Sequence, residues 1–593
     1  MQFEKRKFVS QAVSIPGEAT ADSQRPLATT RFVGPTWCVA LMGLGLLIGL
    51  YNVSSSGPLW PDAPRYANGG AMIHDWLCSG ELLHPYQFAK SNYAQYPGFS
   101  IPYHPPGYPG LLGLWFLLVG MSYVTARCFI AVCLGAAGCF FHGILRRLGA
   151  ASWIAMVGSL LLVTTPEIAR WSRSTMSETP ALMFILAASY CFLRWADTDR
   201  AGWCWGAFGL AEIAFLCRVT TAGVLPAWFL LLIFKKEFRR VLSPHLIIPS
   251  VFYLFGNAAW IKFAVTYARF EVTGPTFNRV ARLSWQNFLF LPSVIPGTIG
   301  WITAVAALIG LVLVLINQRS RNFAGFWFFW LACYYVFHLV IPNNLEPRYF
   351  VAALPALCGL AVCVLALDGA GVLVQSLKGV LIAGAIAANL FQLTRQPSGL
   401  VGYQTVADRV SRLNEPGNLL LSCWWDQDLI FRFRCRPQQY PRRIIRGDRS
   451  LTIRLPAYAG IAAKPLATTS DDVLDVIRRG RVRYLLTCPR ATPDLEDRPG
   501  DMVLAHATAT SMPRHFERLG TFELVTDFAR HHRWQVCLWR YRGKLPPGPS
   551  EIPVVIPTAG MTFQPPPDIE GSRPATAALS PNNQKPRPNP SIR

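Results

Sequence analysis

Charge is scarce in this chain of 593 residues: only 15% are Asp, Glu, Lys or Arg, whereas 52% are hydrophobic. Soluble domains carry about 25% charged residues, so the composition favours a membrane protein. The formal net charge of +23 would suit a nucleic-acid-binding protein, yet no basic stripe runs along one soluble region. Lys and Arg recur instead in short clusters between apolar runs, which is typical of membrane topology and indicates no nucleic-acid partner.

Two further features are missing. The first apolar run begins only after about thirty polar residues, and no small-x-small cleavage site follows it, which argues against a cleavable signal peptide. None of the fifteen cysteines forms a C-x-x-C pair, so no cysteine metal site is indicated. Most cysteines lie inside apolar runs, where they behave as small apolar residues.

Long apolar runs, in contrast, are frequent. A membrane helix needs about 20 apolar residues, and eleven segments are predicted to span on this criterion. They are 35–53, 125–145, 151–167, 179–195, 201–217, 219–235, 246–266, 298–317, 324–342, 348–367 and 376–393. In the first of them, Gly45 and Gly49 form a G-x-x-x-G pattern, which predicts close helix packing because no strand precedes it to make a phosphate loop.

One short apolar run, 107–121, is left out of this count. The first helix follows a basic segment, which places residues 1–34 in the cytoplasm. If 107–121 does not cross, five later basic clusters also lie inside. These clusters are 146–147, 194–200, 235–240, 319–321 and Lys378. We therefore predict a re-entrant or interfacial helix at 107–121.

This topology divides the chain into four regions and its loops into two sides. A polar cytoplasmic N-terminus (1–34) precedes a transmembrane domain (35–395), then a small extracytoplasmic α/β domain (400–545), then a Pro-rich tail (546–593) without apolar periodicity, which is predicted to be disordered. The predicted outer segments are 54–124, 168–178, the bend near 218, 267–297, 343–347 and everything after about 394. The first outer loop, rich in Trp, Tyr, Pro and His, indicates interfacial helices. The predicted fold is thus a polytopic α-helical protein of the inner or plasma membrane with an outer α/β domain.

Within the outer domain, three apolar runs resemble buried strands, at 418–424, 481–489 and 534–542. The run 470–480 predicts a helix with Ser470 as N-cap and Gly480 as C-cap. Four cysteines of this domain could pair, which the sequence does not decide: 423, 435, 488 and 537. Its arginines at 432, 434, 436, 442 and 443 are interpreted as a solvated face.

The first outer loop holds an isolated acid in GPLWPDAPRY (57–66). Asp62 precedes a helical pattern with Pro64 in its first turn, so helix capping is one explanation. A carboxylate at the rim of the membrane can also serve a polar cavity, and the two roles are compatible. Arg65 and Tyr66 belong to the same stretch.

The second outer loop also places an acid at a helix start, in RWSRSTMSETPALMF (170–184). Glu178 precedes Pro180 at a helix start, so capping is again one explanation. Arg170 and Arg173 come before it, about one turn away if the segment is helical.

A third outer loop, NNLEPRYF, contributes Glu346, Arg348 and Tyr349. Arg218 lies at an outer bend, and Glu212, in the apolar helix before it, is either functional or a structural partner of Arg218. Acids and arginines from distant loops thus converge on one face. That combination suits a phosphate on a lipid, because Arg binds phosphate oxygens bidentately and a carboxylate can take a proton from a hydroxyl.

His104 opens the stretch YHPPGYPGLLGLW, where two prolines fix an extended entry into the predicted interfacial helix. It is either part of the same site or an interfacial histidine without a chemical task.

Together these stretches resemble the GT-C glycosyltransferases, above all the branch with the protein O-mannosyltransferases and the lipid A aminoarabinose transferase. Four motifs carry the resemblance, in the family's order and on one face: DAPRY, HPPGYPGLLGLW, RSTMSETPALMF and EPRYFVAALPAL. It covers about residues 35–393. It implies an enzyme that moves a sugar from a polyprenyl-phosphate carrier to an acceptor outside the membrane.

The resemblance also implies residue roles. Asp62 would be the catalytic base of an inverting displacement, and Glu178 would position the acceptor or a metal. The residues that would hold the donor phosphate are Arg348, His104, Arg170, Arg173 and Arg218. The further cavity residues are Arg65, Tyr66, Glu346 and Tyr349.

This chain departs from the family pattern at both acids. Ala63 follows Asp62 where relatives have a second acid, which argues against a paired-carboxylate metal site there. The second acid is Glu178 rather than the commoner Asp. No cofactor is therefore assigned, and a divalent cation stays open. The absence of a cytosolic nucleotide-binding region agrees with a lipid-linked donor.

Two other functions remain as alternatives. A transporter or flippase of a lipid-linked glycan predicts broken helices near the midplane and internal repeats, and the sequence shows neither. A non-catalytic membrane protein with an outer binding domain would follow if Asp62 and Glu178 were far apart. The sequence specifies neither the sugar nor the acceptor, which could be a lipid, a glycan or a protein.

Overall fold

The structure is a computed structural model of the chain. It describes residues 34–54, 57–98, 104–267, 283–316, 318–340, 346–365, 372–395, 399–436, 442–453, 464–489, 500–526, 533–556 and 561–565. The polar N-terminus up to residue 33, residues 268–282 of the loop 267–297, residues 343–345 and most of the predicted tail lie outside these residues.

Helices dominate the chain up to residue 394. They are α1 (Pro35–Leu50), α2 (Asp62–Ser79), α3 (Pro85–Gln95), α4 (Gly107–Val119), α5 (Tyr123–Arg147), α6 (Ser152–Thr164), α7 (Pro166–Ser172), α8 (Glu178–Thr198), α9 (Ala201–Cys217), α10 (Leu225–Phe234), α11 (Phe238–Val241), α12 (Pro244–Tyr267), α13 (Trp285–Ile299), α14 (Trp301–Ile316), α15 (Gln318–Val340), α16 (Leu354–Cys363) and α17 (Val372–Thr394). Two 3₁₀ segments, Val219–Val224 and Pro347–Ala353, run directly into α10 and α16.

Each of the eleven segments predicted to span contains a helix. By length and composition, four helices within the described residues can cross a membrane: α5, α8, α12 and the 323–340 part of α15. A fifth is added if α6 and α7 count as one span. The other predicted spans are shorter apolar helices. The helical architecture is as predicted, while the number of spans stays a prediction.

The pair α6 and α7 is bent by 60° at a short break. The break falls at Thr165–Pro166, because proline cannot donate the backbone hydrogen bond that would continue the helix. The prediction of one uninterrupted span at 151–167, without a broken helix, is therefore wrong. The bend carries α7 and the following loop across the helix ends toward α2.

The G-x-x-x-G pattern packs α1 against α5. A Cβ on Gly45 would come within 2.6 Å of the Gly135 backbone, and one on Gly49 within 2.5 Å of the Ala131 side chain. Only glycine allows the two helix backbones to approach so closely. This contact confirms the packing role predicted for the pattern.

A six-stranded sheet with helices on both faces forms the C-terminal domain. Its strands run in the order β1 (Leu400–Val401), β7 (Phe516–Thr526), β8 (Arg533–Tyr541), β6 (Val482–Thr487), β2 (Asn418–Ser422) and β3 (Ile444–Arg446). Strand β2 is parallel to β3 and β6, and the other neighbours are antiparallel. The three predicted strands are thus β2, β6 and β8.

Successive side chains of a strand point to opposite faces of the sheet, and an apolar layer forms on each face. In β6, Tyr484 and Leu486 face the layer that holds α18 (Tyr403–Ser411) and α19 (Asp426–Arg434), whereas Leu485 faces the layer with α21 (Ser470–Arg479) and α22 (Gly500–Ser511). The remaining elements are α20 (Gly447–Ser450), β4 (Thr452–Ile453), β5 (Lys464–Pro465), β9 (Val554–Ile556) and β10 (Met561–Phe563).

Three details of the C-terminal region differ from expectation or answer an open question. The N-cap of α21 is Thr469, one residue before the predicted Ser470, because its hydroxyl and Asp472 form a capping box. The predicted disordered tail contains the antiparallel hairpin β9–β10, which packs on Tyr93 and Ala94 of α3. All fifteen cysteines lie within the described residues, and none forms a disulfide.

Candidate active site

Asp62 is the first residue of α2, where the chain turns into the helix after Pro61. Its side chain does not cap the helix, so the capping explanation is wrong. The carboxylate is 10% exposed and faces three basic side chains. Oδ2 lies 3.1 Å from Nη1 of Arg348, and Oδ1 lies 3.2 Å from Nη1 of Arg65 and 3.7 Å from Nε2 of His104.

Arg348 contacts neighbours in its own loop and side chains of the first outer loop. Its Nε donates to Oε2 of Glu346 at 2.5 Å. Its guanidinium lies over the ring of Trp60, at 4.7 Å from the centroid, and over that of Tyr349, at 5.2 Å. The 3₁₀ turn that begins at Pro347 brings this side chain to Asp62, 286 residues earlier in the chain.

A second ion pair lies on the other side of Tyr349. Nη1 of Arg218 is 2.8 Å from Oε1 of Glu178, whose side chain is fully buried. The Arg218 guanidinium also lies over the ring of Tyr349, at 4.8 Å from the centroid. Glu178 is the first residue of α8 and, like Asp62, does not act as a side-chain cap, so capping is wrong here too. Tyr349 therefore separates two arginine–carboxylate pairs.

A row of side chains joins the two pairs. Arg218 donates to Oγ of Ser177 at 3.4 Å, and Ser177 donates to the hydroxyl of Tyr66 at 3.1 Å. That hydroxyl lies 3.1 Å from Nδ1 of His104. Since Arg218 can only donate, we infer that Tyr66 donates to Nδ1 and that the Nε2 proton of His104 points to Asp62. His104 therefore lies within the Asp62 group, and its chemical task stays a prediction.

Two backbone contacts explain why these loops meet. The hydroxyl of Thr175 donates to the carbonyl of Ala63 at 3.0 Å, and the amide of Leu59 donates to Oγ of Ser174 at 3.3 Å. Both belong to the non-helical link between α7 and α8, which lies directly on the first turn of α2. The link positions Glu178 beside the Asp62 group.

Burial and neighbouring charges set the protonation states of Asp62 and His104. Burial by itself would raise the pKa of Asp62, but His104, Arg348 and Arg65 outweigh it and hold that pKa well below its usual range. Burial lowers the pKa of His104, Arg65 and Arg348 lower it further, and Asp62 opposes them. At neutral pH the site thus contains an ionised carboxylate beside an uncharged imidazole.

Two other predicted phosphate ligands, Arg170 and Arg173, have contacts of their own. Arg170 stacks on the ring of Trp171, 5.1 Å from its centroid. Arg173 is buried, donates to the carbonyl of Leu393 at the end of α17, and lies over the ring of Tyr51. Its positive charge there compensates the negative end of the helix dipole. The helix that contains Arg170 ends at Ser172, so the chain from Arg173 to Glu178 does not continue it.

The structure adds one acid that the sequence analysis did not consider. Glu167 in α7 is buried, accepts a hydrogen bond from Nε1 of Trp171 at 2.7 Å, and interacts electrostatically with Arg170, Glu178 and Arg348. The i, i+4 spacing of Glu167 and Trp171 after Pro166 was the available signal. Glu212, in contrast, is not the partner of Arg218, because Glu178 is. The carboxylate of Glu212 instead lies against Gly256 of α12.

Of the eleven residues predicted for the site, nine form one continuous group: Asp62, Arg65, Tyr66, His104, Glu178, Arg218, Glu346, Arg348 and Tyr349. Among the described residues, no group of three or more His, Cys, Asp and Glu side chains could hold a metal ion. The group contains three carboxylates and three guanidiniums. Carboxylates can accept a proton, and guanidiniums can bind a phosphate.

Comparison with known proteins gives a family match over part of the chain and a shared fold. Residues 103–262 match the family model described as dolichyl-phosphate-mannose-protein mannosyltransferase. The crystal structure of ArnT from Cupriavidus metallidurans bound to undecaprenyl phosphate is similar over 86% of this chain and 99% of that chain, with a TM-score of 0.53 and 15% identity. The apo state of the same protein is similar over 85% of this chain and 98% of that chain, with a TM-score of 0.52 and 16% identity.

A comparison with curated protein sequences finds no match. The family match and the shared fold confirm the resemblance to the GT-C glycosyltransferases of the membrane that the four motifs indicated. The residue roles that the resemblance implies stay predictions.

Proposed function

We propose that this chain is an integral-membrane glycosyltransferase that transfers a sugar from a polyprenyl-phosphate carrier to a hydroxyl of an acceptor on the extracytoplasmic side. The observation that carries the proposal is the Asp62 carboxylate, which faces Arg348, Arg65 and His104 at the predicted outer helix ends. The family match and the fold support the same reaction class.

In the proposed reaction, an acceptor oxygen attacks the anomeric carbon of the sugar. The bond from that carbon to the phosphate oxygen breaks, and its electron pair leaves on the polyprenyl phosphate. Asp62 takes the proton of the attacking hydroxyl, and Arg348 binds the phosphate oxygens as negative charge develops on them. Attack from the face opposite the phosphate inverts the anomeric configuration.

Arg348 links donor binding to the base. In the ligand-free site its Nη1 lies 3.1 Å from Asp62, and its charge helps to hold the pKa of Asp62 low. A phosphate that takes over this guanidinium would weaken the ion pair and raise the affinity of Asp62 for a proton. The carboxylate would thus become a better base only when the donor is bound.

His104 is proposed to orient Asp62 and not to bind phosphate as a cation. Its two ring nitrogens face Tyr66 and Asp62, and burial lowers its pKa. An uncharged imidazole contributes little attraction for a phosphate, whereas a donor on Nε2 fixes the position of the carboxylate. The resemblance had implied the phosphate role.

A transfer assay tests the proposal. Wild-type protein and its Asp62→Asn variant, in native membranes, would be given a panel of radiolabelled polyprenyl-phosphate sugars. We expect turnover of at least one donor by the wild type and a loss of about 10²- to 10⁴-fold in the variant, the usual contribution of a general base. Asp408→Asn is the matched control, because Asp408 pairs with Arg436 on the surface of the C-terminal domain.

Two outcomes would contradict the proposal in different ways. Turnover that survives Asp62→Asn would keep the transferase and remove Asp62 as its base. Lipid-linked sugar that is moved across vesicles without being consumed would favour the flippase alternative.

A further inference from the structure

The helix that begins with Asp62 is covered by the C-terminal domain. Helix α2 packs on α4 on one side and on α19 of the C-terminal domain on another. Phe431 of α19 is part of the apolar core of the membrane-helix region and stacks on Phe116 of α4. The two parts of the molecule therefore share a buried interface with α2 inside it.

Arg434 is the charged centre of this interface. Its side chain is fully buried, and its Nη2 lies 2.7 Å from Oδ2 of Asp75 in α2. Its Nη1 donates to the backbone carbonyl of Asn68 at 3.4 Å, and its guanidinium lies over the ring of Tyr96. The interpretation of this arginine as part of a solvated face is wrong.

Asn68 makes a second connection, about two turns nearer to Asp62 than Asp75 is. Its side-chain amide donates to the carbonyl of Pro64, in the first turn of α2, at 2.8 Å. The same nitrogen donates to the carbonyl of Gln427 in α19 at 2.9 Å. A single side chain thus ties the turn that carries Asp62 to the C-terminal domain.

The domain also holds both ends of the segment around α2. Before the helix, the amide of Leu400 donates to the carbonyl of Pro58 at 3.1 Å. After it, Arg443 donates to the carbonyl of Ala94 at 3.2 Å, and Arg446 donates to that of Pro97 at 3.1 Å. Both arginines are buried, so Arg443 is not part of a solvated face either.

We propose that the C-terminal domain positions the catalytic base, and that Arg434 and Asn68 are positioning residues that hold α2 so that Asp62 faces the donor. This inference rests on the proposed function. A general base must lie within hydrogen-bond reach of its proton, and a displacement of about 1 Å can cost about 10²-fold in rate. A helix that is tied at three places by another domain meets that requirement.

Hydrogen–deuterium exchange of the full-length protein tests the positioning without any assay of activity. We expect peptides from the first half of α2 to exchange faster in Arg434→Gln than in the wild type, because the loss of the contacts to Asp75 and Asn68 increases local opening. Peptides from α8 should be unchanged. Arg436→Gln is the matched control, because Arg436 is an exposed neighbour that pairs with Asp408.

Kinetics on the same variants separate positioning from general stability. With a donor that the wild type uses, kcat of Arg434→Gln should fall about 10- to 100-fold, while the KM for the donor stays within about twofold. Arg434→Lys keeps the charge next to Asp75 and should recover part of kcat. If Arg434→Gln does not fold, Asn68→Ala provides the test of the positioning role, because this variant leaves no buried charge without its partner.

Each outcome decides one of the two ideas. Unchanged exchange of α2 in Arg434→Gln and Asn68→Ala would overturn the positioning role. So would a loss of activity that is due entirely to a higher donor KM. If the wild type transfers no sugar from any donor of the panel, the proposed function fails, and the exchange measurement still decides whether the domain holds α2.

Discussion

The two carboxylates at the site occupy equivalent positions in their helices but have different surroundings. Asp62 and Glu178 are each the first residue of a helix that has a proline two positions later. Each pairs with an arginine that lies over the same ring, that of Tyr349. Yet Asp62 is partly exposed and faces three bases, whereas Glu178 is fully buried against Arg218.

This difference suggests a division of labour. A buried pair holds its partners in place, because removal of either charge leaves the other uncompensated in a medium of low dielectric constant. A partly exposed carboxylate with several partners can exchange one of them for a substrate. We therefore propose that Glu178 belongs to the framework that fixes Arg218 and Tyr349, and that Asp62 carries out the chemistry.

The largest effect should follow from Arg348, the arginine that pairs with Asp62. Arg348→Gln removes the proposed phosphate ligand and also breaks the ion pair of Asp62 before a donor is bound. We therefore expect kcat/KM to fall about 10²- to 10³-fold, as for the loss of one transition-state donor. Steady-state transfer kinetics over a range of donor concentrations measure it. Arg170→Gln, whose arginine stacks on Trp171, is the matched control and should change kcat/KM about twofold at most. Equal losses in both variants would refute the assignment.

For Glu178→Gln we expect a large loss of stability and a smaller loss of activity. Breaking a buried ion pair costs about 3–5 kcal/mol, so the thermal unfolding temperature in detergent should drop clearly. Activity per folded molecule should fall only about tenfold, since Asp62 and Arg348 remain in place. A variant with normal stability and no activity would show instead that Glu178 takes part in the chemistry.

Much of this comparison could be predicted from the sequence. Helix-start patterns at Asp62 and Glu178 placed both acids at helix ends, and the charge clusters put those ends on one face. The close packing of α1 on α5 followed from Gly45 and Gly49. These features are local or periodic, so a single sequence is enough to show them.

The rest depends on contacts between distant segments. No local pattern shows that Arg218 pairs with Glu178 and not with Glu212, which is nearer in sequence. The pair forms because α8 packs on α9, which brings the start of α8 to the end of α9. Arg434 shows the same limit, since it follows an ordinary amphipathic pattern and is buried only because α19 packs on α2. Partner choice in a tertiary interface has no periodic signal.

The smallest effect should come from the row of side chains that joins the two pairs. Tyr66→Phe removes the hydroxyl that faces Nδ1 of His104, so the imidazole can take up a proton more easily. Burial, Arg65 and Arg348 keep the pKa of His104 low, and Asp62 opposes them. The loss of a hydrogen bond to the neutral ring should raise this pKa.

A protonated His104 would make Asp62 a weaker base, so kcat/KM of Tyr66→Phe should begin to fall at a higher pH than in the wild type, and the two should nearly coincide on the alkaline side. The pH profile of kcat/KM for both proteins measures this shift. Tyr108→Phe is the control, because the ring of Tyr108 packs on Tyr66 while its hydroxyl has no hydrogen-bond partner among the described residues. The same shift in both variants, or none in Tyr66→Phe, would mean that the row joins the two pairs in space but does not set the protonation of His104.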